Sequence, residues 1–135
     1  MKKNILLIVL SFSSGSFAQN KENSSFKITQ KECLKNSGFT LVLKSVITDS
    51  RCPQGVTCIW MGEAQIVVSV YKDKKLIEDK TIVLSAKKEQ ENQQWFATYL
   101  PAKYKKVQTI DLEPYPKKDK PIAAKDYYLK IGYLK

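Results

Sequence analysis

The patterning of this chain predicts an all-β fold: an antiparallel β-sandwich, immunoglobulin-like in architecture, with a small β-barrel as the alternative. Three observations lead there. Short segments of alternating apolar and polar residues recur along the chain, separated by turn-forming residues. No segment sustains a helical apolar period over several turns. The chain's 135 residues fit one domain with one core, and no internal repeat divides them.

Taken in order, Met1-Lys2-Lys3-Asn4, the apolar run Ile5 to Leu10 and the small-residue exit Ser11 to Ala18 form the three parts of a signal peptide. Cleavage is expected after Ala18. The apolar run is far shorter than the roughly 20 residues of a membrane span, so no membrane span is expected and the protein is placed in the periplasm or outside the cell. Residues 19–25 read as a flexible polar tail and residues 26–135 as the single β-sandwich domain. Phe26 to Thr29 opens it as a short strand. In the next strand Phe39, Leu41 and Leu43 share one face, and Val46-Ile47 shifts the phase as a β-bulge would. Ala64, Ile66, Val68 and Val70 point inward from the clearest strand, with Gln65 and Ser69 outward. Tyr71 to Lys75 is a hairpin turn, and Leu76 to Leu84 is the partner strand.

Lys87 to Gln93 reads as a charged loop and Gln94 to Tyr99 as a strand buried on both faces. Val107 to Leu112 is a further strand, stopped by Pro114 and Pro116, which cannot donate to a ladder. Lys117 to Ala124 crosses the surface, and Ala123 to Asp126 forms one short turn. The last strand turns Tyr127, Leu129, Ile131 and Tyr133 to one side. About seven short strands result, the count of a small sandwich.

The formal net charge is +10, and removal of residues 1–18 takes away two lysines and no acid. The lysines are scattered in small groups, Lys72/Lys74/Lys75, Lys87/Lys88, Lys103/Lys105/Lys106 and Lys117/Lys118/Lys120, with no basic helix and no aromatic-plus-arginine stacking pattern. No nucleic-acid partner is therefore expected, and the lysines read as a solvated surface. Histidine is absent, which excludes Ser-His-Asp and Cys-His catalysis within the chain and removes the commonest zinc ligand.

The unusual residues gather between Asp49 and Ala64. Of the 23 basic residues one is arginine, Arg51, and it stands beside Cys52 and close to Asp49 and Glu63. A guanidinium offers a rigid fork that a lysine cannot imitate. Arg51 is thus expected to form a structural clamp with one of those two carboxylates. Cys52 and Cys58 enclose a turn-prone span with Pro53 and Gly55, and in an oxidising compartment they are expected to form a disulfide. Pairing of Cys33 with Cys52 or with Cys58 is the alternative, and any arrangement leaves one cysteine over. Trp60 is expected to root the loop in the core, packed on the sulfurs. Gly62 permits a bulge or a positive φ where the next strand starts.

The run Asp49-Ser50-Arg51-Cys52-Pro53, Gly55-Val56, Cys58, Trp60, Gly62-Glu63-Ala64 resembles a signature of small secreted or lipid-anchored bacterial β proteins. Leu112-Glu113-Pro114-Tyr115-Pro116 and Asp126-Tyr127 resemble the end of the same family. Cys33 lies outside that pattern, and the lipid-anchor cysteine of such proteins is missing. The resemblance implies a β fold and an extracytoplasmic compartment, and it implies no activity.

These observations favour a non-catalytic module with a disulfide-stiffened loop, binding or structural in role, with no cofactor. Its partner would be an envelope or extracellular protein or an anionic glycan. One variant is an inhibitor of a secreted enzyme that inserts Pro53 to Thr57 into an active site. An alternative of another kind is a soft-metal or redox site built on Cys33, Cys52 and Cys58 with Met61 or Glu63, thiolates and thioethers being suited to Cu(I). An enzyme would have to rely on Asp49 and Glu63 as a carboxylate pair, and none is expected.

Overall fold

A computed structural model describes residues 22–31 and 38–135. The expected signal peptide at 1–18, residues 19–21 of the expected tail and Cys33 lie outside the described residues. Among the described residues six strands form two three-stranded antiparallel sheets packed face to face, a β-sandwich with no closed barrel. One sheet has the order β1-β6-β5 and the other β2-β3-β4. The strands are β1 (Asn23–Ile28), β2 (Phe39–Asp49), β3 (Ala64–Lys72), β4 (Lys75–Leu84), β5 (Val107–Glu113) and β6 (Tyr128–Leu134). β1 begins three residues before Phe26, in the stretch expected to be tail, because Asn23, Ser24 and Ser25 pair with Leu134, Tyr133 and Gly132.

Alternation explains β3. Ala64, Ile66, Val68 and Val70 are fully buried, one side chain in two facing inward as the pleat requires. Ser69 lies on the opposite face as expected, yet it is buried too. Its hydroxyl donates to Asp79 (2.6 Å), whose other oxygen takes the Lys44 ammonium (2.5 Å), and Val42 is the buried cross-strand neighbour. The β2–β3 ladder shifts register between Leu43 and Ser45 and again between Val46 and Thr48, where the sequence phase slips. The β3–β4 hairpin turns on Asp73 and Lys74, both at positive φ (51° and 67°), between the paired residues Lys72 and Lys75. Two left-handed residues give the turn whose twist matches the strands.

One expectation fails. Residues 87–99 are not a loop followed by a strand: α1 (Glu89–Tyr99) is an α-helix, entered through a 3-10 turn at Ala86–Lys88. The strand count is six accordingly. Trp95, Phe96, Tyr99 and Leu100 fall at i, i+1, i+4 and i+5, which is one side of a helix rather than two faces of a strand. Phe96 is fully buried in the core between the sheets, and Trp95 stacks edge-on against Phe96 and Tyr99 at 5.0 and 5.2 Å. Glu89 and Glu91 in the first turn complement the helix dipole. Asn92 Nδ2 donates to Val83 O (2.8 Å) and Tyr99 Oη to Glu78 Oε1 (2.7 Å), which ties the helix to β4 at both ends. Pro101 follows directly and prevents its extension.

Leu43, Ile66, Val68, Phe96, Leu112, Leu129 and Ile131 fill the space between the layers. Phe26, Tyr104 and Tyr133 close one side, with ring centres 4.7 to 5.9 Å apart. Among the described residues no helix is long and apolar enough to cross a membrane.

Candidate functional site

β2 and β3 do not part at the edge of the sheet. Beyond Asp49 and Ala64 the ladder continues, Ser50 N donating to Glu63 O and Cys52 N to Met61 O, each at 2.8 Å. Ser50 Oγ adds a bond to the same Glu63 carbonyl (2.9 Å). A two-stranded ribbon therefore carries residues 53–60 beyond the sheet. At its end Val56 N donates to Pro53 O (3.3 Å), with Gly55 at φ 86°. That is a tight turn with a left-handed third residue, the position that selects glycine.

Cys52 and Cys58 are joined as a disulfide, Cα to Cα 6.0 Å. Closing so short a ring contributes about 2 kcal/mol on the chain-entropy account. The double substitution Cys52→Ser with Cys58→Ser is expected to lower the unfolding free energy by about that amount. Denaturant titration with and without reductant checks it: the parent under reductant should match the double variant.

The base of the ribbon is held by Arg51. Its Nε donates to Asp49 Oδ1 (2.8 Å) and its Nη2 to Asp49 Oδ2 (2.7 Å), a forked pair. Nη1 donates to Leu112 O, and Nη2 also reaches Pro114 O (3.2 Å). Arg51 thereby ties the end of β2 to the end of β5, which belongs to the other sheet. The Tyr115 ring lies 5.0 Å from the guanidinium carbon, and its hydroxyl donates to Cys52 O (2.8 Å). Further out, Gln54 N donates to Pro116 O (2.9 Å) and Lys118 N to Gln54 O (3.0 Å). Of the two carboxylates expected to compete for Arg51, Asp49 takes it. The Glu63 carboxylate instead sits 3.5 Å from Gln65 Nε2.

Arg51 and Asp49 side chains are only 12% and 9% exposed, and Tyr127 Oη donates to Asp49 Oδ2 (3.1 Å). Burial alone would raise the Asp49 pKa, but the hydrogen bonds and charge of Arg51, helped by Tyr127, outweigh it and hold the carboxyl below its usual 3.8. The Tyr127 hydroxyl is pushed up by burial first and then by the Asp49 charge. A carboxyl with a depressed folded pKa contributes stability that is complete above its unfolded value and lost as pH falls through the folded one. Acid titration should therefore show stability declining from about pH 4 downward, and Asp49→Asn should flatten that limb. An unchanged acid limb in the variant would mean that the clamp is not what titrates.

Trp60 departs from expectation. It is not rooted in the core but 64% exposed, and beside it Ile59 is fully exposed and Met61 74% exposed. Val56, on the same loop, is 42% exposed. The ribbon projects past the sandwich, so no core lies beneath the indole, and the anchoring expected of Trp60 is supplied by Arg51 and Tyr115. Gly62 meets its expectation with φ 73°. Pro53 and Gly55 form the turn. Tyr115, Tyr127 and the carbonyls of Leu112 and Pro114 are partners that spacing could not name. The segments quoted with the cysteine signature, Leu112 to Pro116 and Asp126-Tyr127, are nevertheless where those partners lie.

Compared with family models, with curated proteins and with solved structures, the chain finds no match.

Proposed function

We propose that this chain is a non-catalytic, extracytoplasmic binding module whose recognition surface is the tip of the disulfide loop: Val56, Ile59, Trp60 and Met61. One observation carries the reading. Four large apolar side chains stand exposed together on a loop that a ladder, a disulfide and an arginine clamp hold in place. Scattered apolar residues are ordinary on a surface, but a contiguous patch indicates an interaction site. A loop ordered beforehand loses little entropy on binding. The pattern of residues 1–18 and the bridge support an oxidising compartment. Asp49, which an enzyme would have to pair with Glu63, is held ionised by Arg51 and Tyr127, which favours a structural use. With Cys52 and Cys58 bonded to each other, neither offers a thiolate to a metal.

The test is to place a photo-crosslinking amino acid at position 60 in intact cells, with Lys74, at the far end of the β3–β4 hairpin, as the control position. An adduct formed from position 60 and not from 74 is expected. The substitutions Ile59→Ser, Trp60→Ser and Met61→Ser together should change stability by no more than about 0.5 kcal/mol, since nothing packs over them. No adduct from any loop position would end the proposal.

A further inference from the structure

We infer that the loop tip inserts into the headgroup layer of an anionic lipid bilayer, so that the protein lies on a membrane surface through Ile59, Trp60 and Met61. This rests on the recognition reading above and names its partner. Ile59, Trp60 and Met61 are consecutive and largely exposed on the ribbon, so they can enter a fluid apolar phase without a shaped pocket to receive them. From Pro53 to Met61 there is no charged residue, in a chain of which 27% is charged. The side chain a bilayer interface prefers, an indole with an apolar body and one polar N–H, stands there between an isoleucine and a methionine.

Charge sits where a lipid surface would meet it. Gln54, on the flank of the loop, is hydrogen-bonded through its backbone to Pro116 and Lys118. A Cβ on Gly55 would lie 3.7 Å from that of Lys118. Lys117, Lys118 and Lys120 are all exposed, with Asp119 the single acid among them. Apolar side chains and lysines that flank one loop suit an interfacial anchor: the apolar residues enter the acyl boundary and the ammonium groups meet lipid phosphates. The lysines also limit the depth, so the protein lies on the membrane and does not span it. The ladder bonds of Cys52 and Met61 already satisfy backbone groups that would otherwise resist leaving water. The net positive charge, which stays strongly positive without Lys2 and Lys3, works in the same direction over longer range.

The experiment is partition of the full chain into phosphatidylcholine vesicles with and without phosphatidylglycerol. Anionic vesicles should bind more tightly, and added salt should weaken that binding. The triple substitution Ile59→Ser, Trp60→Ser, Met61→Ser should reduce the affinity by a factor of ten or more. Lys117→Gln, Lys118→Gln and Lys120→Gln together should reduce it by roughly a factor of ten on anionic vesicles alone. Brominated acyl chains should quench the fluorescence of the parent, and that quenching should vanish with Trp60→Ser. Binding driven by the apolar residues 5–10 would persist in the triple variant and would overturn the inference, as would an absence of quenching. The crosslink from position 60 separates the two readings. A lipid adduct supports both, a protein adduct without lipid overturns the membrane inference and leaves the recognition surface standing, and no adduct removes both.

Discussion

Arg51→Ala is expected to be among the most damaging single changes in the molecule, lowering the unfolding free energy by about 3–5 kcal/mol. The reason is what it leaves behind. Asp49, 9% exposed, would keep its charge with only the Tyr127 hydroxyl and the backbone N–H of residue 51 as partners, while the carbonyls of Leu112 and Pro114 would lose the guanidinium donors. Removing one member of a mostly buried pair costs far more than the pair contributes against an apolar replacement. Arg51→Lys tests the geometry. It retains the charge but cannot reach Asp49 through two nitrogens and two carbonyls of the opposite sheet at once, so a loss of about 1.5–3 kcal/mol should remain. Denaturant midpoints at unchanged slope would report both values. A lysine variant as stable as the parent would show that the clamp acts as a point charge and not as a fork.

Gly62→Ala is the second large effect. At φ 73° an L side chain is strained, and a Cβ there would sit 1.9 Å from Ser50 O and 2.9 Å from Arg51 Cα. Those are backbone atoms of the facing strand, which cannot turn aside as the end of a long side chain could. Strain in the left-handed region and forced separation of the ribbon together place the cost at roughly 2–6 kcal/mol. The damage should be local in character. Ser50 and Cys52 should lose their ladder bonds to Glu63 and Met61, and amide hydrogen exchange should quicken there before it quickens in β3. Unchanged protection at Ser50 and Cys52 would refute this account.

Where the sequence was legible, a single period governed burial. β3 could be read residue by residue because only one of its faces meets the core, and the slip at Val46-Ile47 foretold a bulge because the phase of the pattern is the register of the strand. Helix α1 was not legible as a helix because Trp, Phe, Thr and Tyr are also favoured in strands. Its apolar side is short, and adjacent Trp95 and Phe96 imitate a strand buried on both faces. Arg51 was found because it is the only arginine, but its carbonyl partners are backbone atoms distant in sequence and carry no side-chain signal. Trp60 was misplaced for a related reason. Whether an indole beside a cysteine turns toward the core depends on where the ribbon leaves the sheet, and no local pattern records that.

The order of strands in the sheet β1-β6-β5 also bears on how the protein is made. β6 is the central strand of that sheet, and both neighbours pair with it alone, Asn23 with Leu134 and Glu113 with Tyr128. During synthesis β2, β3 and β4 can close one upon the next as they emerge, but β1 waits for its partner until all of them, α1 and β5 have been made. The inner faces of Ile66 and Val68 likewise wait for Leu129 and Ile131. Closing so long a loop is slow compared with forming a hairpin, so the sandwich stays unfinished until β6 has left the ribosome. Passage through a narrow translocation pore, which the export proposed above requires, is open to a chain in that state and closed to the finished sandwich.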